Sequence, residues 1–438
     1  MKSVSNAILS PNMNYSINED IVVYDGRFCV YLDKKYKCKG KIFLKPSSPS
    51  IITFKAKILS IAEDRDSSYS LDDAILEIHG YKLSSATIRR INESTVEGYI
   101  NNDCIKSKNS YVSYVDFDLL NIDKIPGKLI KNKEKVFAGR LEFELNGYLI
   151  TIDKRYDYRK EFYEELIERS GTVTTHVGRI KKKDGTLFKT NNIIQLLDRI
   201  CIAFSFACGR YISFSAIRGY QDENEVYRAW NSGMVTPFTF LPTWTDTLTN
   251  YRNYEKYLSL MCRRLEDFYY GPAIKNAVDW YIESLNNLTM DNDIISVQIA
   301  LESLSYVVLV EKTKTLTDTD FDKNSASKNI KMLLQICNIP YGGKEMDIFD
   351  DDIKNEFSDG IDLISYYRNK IVHPSKRRNK IFLSNEDIWN ILVIGIHYIE
   401  LAILYIIGYK GEYSNRLKDR SFGEVEVVPW NNVSNNYK

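Results

Sequence analysis

The residues best suited to chemistry in this 438-residue chain fall in one stretch, Tyr366 to Lys380, which reads YYRNKIVHPSKRRNK. A histidine titrates near neutrality and serves as general acid or base. An arginine fork holds the oxygens of a phosphate while charge develops on them. His373 and Arg368 supply these two groups, Asn369 can orient the imidazole or bind a phosphate oxygen, and Lys370, Lys376, Arg377, Arg378 and Lys380 form a local basic patch. The chemistry indicated is proton transfer and charge stabilisation on a phosphodiester.

Geometry constrains that reading. Pro374 disfavours helical geometry in its predecessor, so the helix carrying Arg368 stops near His373. Five helical residues turn through about 500°, which leaves the two side chains roughly 140° apart around an unbroken helix. Either the last turn loosens and His373 swings back, or two copies meet across a symmetric dimer. An arginine and a histidine at a helix end also serve simply to satisfy terminal carbonyls and the negative end of the dipole.

The elements that must position this motif are helical. From Asn250 onward, apolar periodicity predicts helices over about 251–269, 272–287, 293–312, 325–338, 350–371 and 385–408. Asp291 and Asp293 are candidate caps for the third, and Ser384 with Asp387 for the last. Residues 1–153 read instead as a β-rich domain, with short strands punctuated by Asp-Gly, Asn-Gly and Pro-Gly, consistent with a sandwich or open barrel. Residues 154–248 mix helix and strand and are expected to pack on the β domain. The fold class is therefore α+β multidomain: 1–153 β-rich, 154–248 α+β, 249–412 helical with a bundle at about 290–410, and 413–438 a polar tail.

The six residues Arg368-Asn369-Lys370-Ile371-Val372-His373, near the end of a bundle helix, resemble the signature of the HEPN superfamily. A β-rich half joined to such a bundle resembles the ApeA-type antiphage proteins in layout, and SFACGRYISFSAIRGYQDENEVYRAW is similar to what precedes the bundle there. The resemblance implies a metal-independent endoribonuclease that is homodimeric through the helical domain. RNA supplies its own nucleophile, the 2′-hydroxyl, so the products are a 2′,3′-cyclic phosphate and a 5′-hydroxyl. It further implies tRNA as a substrate, abortive infection as the setting, and a phage-derived trigger acting on the N-terminal domain. Glu302 is the candidate for an acidic helper, since some HEPN members draw one from another helix. A catalytically silent HEPN module, acting as a prophage regulator or superinfection-exclusion protein, is the alternative.

Other chemistries find less support. Net charge is +1, so any nucleic-acid binding must rest on local charge. Seven cysteines without CxxC spacing indicate neither a disulfide framework nor a zinc knuckle, and fit a reducing cytoplasm. Neither a phosphate-binding GxxxxGK[ST] loop nor a GxSxG elbow occurs, and no cofactor is expected. Only four histidines exist, at 79, 176, 373 and 397, which leaves little for a zinc site. The acidic run around Asp350, Asp351 and Asp352 suits a helix start better than Mg²⁺. Ile388 to Tyr409 is long enough to span a membrane, but Asn390, His397 and Glu400 interrupt it. A buried bundle helix is expected there, with His397 paired to Glu400.

Overall fold

Six strands whose buried and exposed residues alternate, with the alternation shifted at bulges, open the β-rich half. They are β1 (Ile21–Tyr31), β2 (Lys35–Lys45), β3 (Ile51–Ala62), β4 (Ala74–Ile78), β5 (Ser84–Ile91) and β6 (Thr95–Ile100). In this computed structural model, which describes residues 4–47, 49–62, 69–101, 104–133, 135–245, 250–286, 289–373, 381–418 and 424–431, they close into a barrel in the order β1-β2-β3-β6-β5-β4. Every pair is antiparallel, and Phe28 opposite Ile78 completes the ring. Closure removes the free edges that a sandwich would leave. Val30, Cys38, Ile42, Leu44, Ile52, Phe54, Leu76 and Val96 fill the interior. Gly98 is required where β6 crosses the core: a Cβ there would lie 2.2 Å from the Thr87 carbonyl oxygen and 2.9 Å from the Phe54 ring.

A nine-stranded sheet follows. Its named strands are β7 (Cys104–Lys106), β8 (Tyr114–Leu120), β9 (Lys128–Asn132), β10 (Lys135–Leu145), β11 (Tyr148–Lys154), β12 (Thr174–Lys182), β13 (Phe214–Gln221) and β14 (Asn224–Asn231). Starting from the short strand Ser5–Asn6, the order is β9-β10-β11-β12-β8-β13-β14-β7. The boundary expected at 153/154 is thus crossed by one sheet. β8 lies between β12 and β13, so the segment 154–248 completes the sheet begun before it rather than covering a separate domain. Local patterning has no access to such long-range pairing.

One face of this sheet carries ion pairs whose carboxylates are buried. Asp116 takes both Nε and Nη2 of Arg179, at 2.6 and 2.8 Å, and Asp153 takes Arg140 in the same bidentate way at 2.7 Å. Asp118 meets Arg218 at 3.0 Å and also accepts from Asn12 at 2.5 Å. The N-terminal segment is tied to this face: Ile8 N–H donates to Asp153, and the Met13 carbonyl accepts from Arg155. Burial pushes the Asp116 carboxyl up, and Arg179 works against it.

Contacts divide the chain into two units, 1–201 with 211–240, and 202–210 with 241–438. Helix α1 (Lys160–Glu168) belongs to the first, whereas helix α2 (Ile193–Cys208) is split, its C-terminal half belonging to the second. The second unit is helical: α3 (Tyr251–Arg264), α4 (Tyr270–Asn286), α5 (Met290–Tyr306), α6 (Asp318–Lys323), α7 (Ala326–Ile336), α8 (Asp351–Glu356), α9 (Gly360–Val372) and α10 (Asn385–Ile406). The single helix expected over 350–371 is two. Asp359 caps α9, its side chain accepting from the N–H groups of Ile361 and Asp362 at 3.1 and 3.0 Å, and this local bond competes with continuing the helix. Asp291 and Asp293 lie within the first turn of α5 instead of capping it; Thr289 holds the cap position. Ser384 and Asp387 form the reciprocal capping box expected of them.

Two helical stretches, Met290–Lys312 and Asn385–Ile406, are long and apolar enough to cross a membrane, yet 72% of each apolar window is buried within the protein. Glu400 is not held by His397. It accepts from Tyr281 at 2.7 Å and from Arg416 at 2.8 and 2.9 Å. The segment after Gly411, expected to be a polar tail, supplies that arginine.

Candidate active site

The end of α9 is fixed from both directions. At its start, Lys331 of α7 bridges Asp359 at 2.8 Å and Asp362 at 2.7 Å, and Ser327 donates to Asp362. Ile361, Leu363, Ile364 and Tyr367 bury its apolar face. Close packing against α5 and α10 depends on Gly395, where a Cβ would come within 2.4 Å of Val297 Cγ1 and 3.4 Å of Ile364 Cδ1. At its last turns, the Tyr367 hydroxyl donates to Asp291 Oδ1 at 2.7 Å. That bond joins the residue before Arg368 to the start of α5. Burial, then the Asp291 carboxylate, raises the Tyr367 phenol above its ordinary range.

Arg368 is half-buried in this last stretch, and its Nη1 donates to Asn369 Oδ1 at 3.1 Å. A guanidinium has five N–H donors, so the fork keeps capacity for an anion. Helical geometry ends at Val372. His373 is exposed, still donates its backbone N–H to the Asn369 carbonyl at 3.0 Å, but has φ −128° and ψ 70°. Its φ departs from the helical value of about −63°, so its Cβ is turned away from where a continued helix would put it. The helix thus ends before His373, as Pro374 led one to expect.

The remaining expected site residues divide clearly. Lys370 is partly engaged, its Nζ donating to the Ile381 carbonyl at 3.5 Å. Lys376, Arg377, Arg378 and Lys380 lie outside the described residues. Glu302 accepts from Gln298 at 2.5 Å, one turn away on α5. At about 1.5 Å rise per residue, it sits roughly 16 Å along α5 from Asp291, the point where the end of α9 is tied. The carboxylate bonded to the turn that carries the motif is Asp291, through Tyr367. Its role as a cap was the only signal the sequence carried; a contact across 76 residues is invisible to local pattern. The acidic run contributes Asp351 and Asp352 to the first turn of α8, with Asp350 before them. Among the described residues, no group of three or more His, Cys, Asp or Glu could hold a metal.

Sequence comparison places this architecture beside two protein domains. A family profile described as the YopA C-terminal domain matches residues 267–427, and one described as the YopA central domain matches 107–241. Over 440 aligned residues, the chain is 27% identical to the SPbeta prophage-derived uncharacterized protein YopA of Bacillus subtilis (strain 168). The similarity covers 98% of this chain and 99% of that relative. No solved structure matches the chain significantly. The α9 motif lies inside the C-terminal match, whereas the barrel lies outside both profiles.

Proposed function

We propose that the helical domain is a metal-independent, HEPN-type endoribonuclease, with Arg368 and His373 at its centre. The observation that carries this reading is the end of α9: a half-buried guanidinium within reach of Asn369, followed by an exposed histidine that has left helical geometry. In the reaction, the 2′-oxygen of RNA forms a bond to the adjacent phosphorus as the 2′-proton leaves. The bond from phosphorus to the 5′-oxygen breaks, and that oxygen takes up a proton. His373 exchanges one of these protons with the RNA, and Arg368 bears the charge on the phosphate oxygens. A 2′,3′-cyclic phosphate and a 5′-hydroxyl result. Dimerisation would complete the cleft. Val372 and Phe382 flank the Lys370–Ile381 contact and are 41% and 87% exposed, and Trp389 of α10 is 55% exposed, which gives a second copy apolar surface to cover beside the motif. A cytoplasmic setting, tRNA as substrate and a role in antiphage defence complete the proposal by resemblance.

The test expresses wild type, Arg368→Ala and His373→Ala in a bacterial host and maps RNA ends. Motif-dependent toxicity with new 5′-hydroxyl ends, insensitive to EDTA, is the expected result. The similarity to a prophage-derived protein favours one other reading, a catalytically silent module that regulates a prophage through protein contacts. Equal phenotypes from wild type and both variants, with no new RNA ends, would establish that reading and refute cleavage.

A further inference from the structure

The cations that the whole-chain charge conceals are concentrated on the barrel. Strands β1, β2 and β3 carry Arg27, five lysines on β2, and Lys55 and Lys57, against a single acid, Asp25. The register sets them side by side on the outer wall: Arg27 faces Lys39, and Lys39 faces Lys57. Arg27, Lys37, Lys39, Lys41, Lys55 and Lys57 are all exposed. Lys41 reaches Asp25 and Lys55 reaches Glu97, but Arg27, Lys37, Lys39 and Lys57 form no ion pair with a described residue. Like charges directly opposite across strands are destabilising. A closed barrel also has no edge that lysines would need to protect. This surface therefore holds a repulsion that an anionic ligand would relieve.

Two further features select the kind of anion. Beyond the lysine rows, on the same outward face, Phe43 and Thr53 are paired, and Thr53 is paired with Tyr99, which is 42% exposed. On the other side, Arg27, Lys37 and His79 border a pocket of about 490 Å³ with Cys29 and Leu59 in its wall; its one carboxylate, Glu77, is paired with Lys35. Cations spaced along a strand, an exposed aromatic at one end and a part-apolar pocket at the other match a charged backbone bearing flat bases. We propose that this wall of the barrel binds single-stranded nucleic acid, independently of any chemistry at Arg368 and His373.

The experiment uses the full chain and a fluorescent 20-nucleotide 2′-O-methyl RNA, which has no free 2′-hydroxyl and so cannot be cut by transesterification. Anisotropy is measured across a salt series for wild type and for Lys37→Gln/Lys39→Gln/Lys57→Gln. The control is Lys160→Gln/Lys314→Gln/Lys354→Gln, with the same change in net charge at exposed positions elsewhere. The barrel triple should weaken binding at least about tenfold and reduce the slope of log K against log salt by about 2, since each lost phosphate contact on a single strand removes about 0.7. Its melting temperature should be unchanged or raised, because facing like charges are removed. Tyr99→Ala should weaken binding by about fivefold or more. No binding by wild type, equal weakening by both triples, or preference for phosphatidylserine vesicles over the oligomer would overturn the proposal.

Discussion

His176 offers a direct test of the β-rich unit. It lies on β12, buried, with Nδ1 3.1 Å from the Thr175 hydroxyl and its ring edge-on to Tyr158. Burial, assisted by the nearby Lys154 ammonium, pushes the imidazole down to about 3. In the unfolded chain the same group titrates near 6.5, so between these values only the unfolded state takes up the proton. Stability from this residue is therefore complete above about pH 6.5 and is lost as pH falls towards 3. Each unit of pH in that window is worth about 1.36 kcal/mol, so from pH 7.5 to 5.0 His176 alone withdraws about 2 kcal/mol. In His176→Gln the side chain has no proton to gain. Urea unfolding, followed by hydrogen exchange in peptides from β11 and β12, should show a pH-dependent loss about 2 kcal/mol smaller in the variant than in wild type. The variant's lower stability at both pH values, from lost packing, cancels in that comparison. Equal losses in the two proteins would refute the buried neutral imidazole.

Two further predictions concern the support of α9. Tyr367→Phe deletes the bond to Asp291 and should cost the helical unit about 1.5 kcal/mol by thermal melting, the low end for a bond to a charged group because Asp291 is exposed. With the end of α9 less firmly tied, RNA cleavage should slow through kcat more than KM, and an unchanged kcat would remove Tyr367 as a positioning residue. Gly395→Ala drives a methyl into Val297 and should cost about 1–3 kcal/mol; Val297→Ala in the same chain should recover most of the loss, and failure of that rescue in denaturant titrations would place the strain elsewhere.

Legibility from sequence follows the range of the interactions involved. The β-rich half, the helical half, the Ser384 capping box and the end of α9 near Pro374 rest on contacts a few residues apart, and local chemistry reveals them. The break between α8 and α9 was equally local, since Ser358-Asp359-Gly360 is helix-starting chemistry, but the apolar run of α9 obscured it. What escaped was non-local. Arg416 reaches Glu400 from a segment that reads as polar, Asp291 is claimed by a tyrosine on another helix, and Asp116 and Asp118 read as polar interruptions of a strand until their arginine partners are known.

The placement of β8 at the middle of its sheet governs the order in which the protein can be made. The backbone pairing of the barrel closes once residue 100 is available, although Ile105, Ala216 and Trp230 join its core only later. β8 emerges soon afterwards, but the arginine that pairs with Asp116 comes 63 residues later, and the one for Asp118 comes 100 residues later. On the ribosome, β8 therefore precedes the arginines for both of its buried carboxylates, and of the partners described only Asn12, for Asp118, is already in place. Unpaired carboxylates on a strand disfavour its pairing with a neighbouring chain, so the residues that later build the buried ion pairs also guard β8 until its arginines arrive.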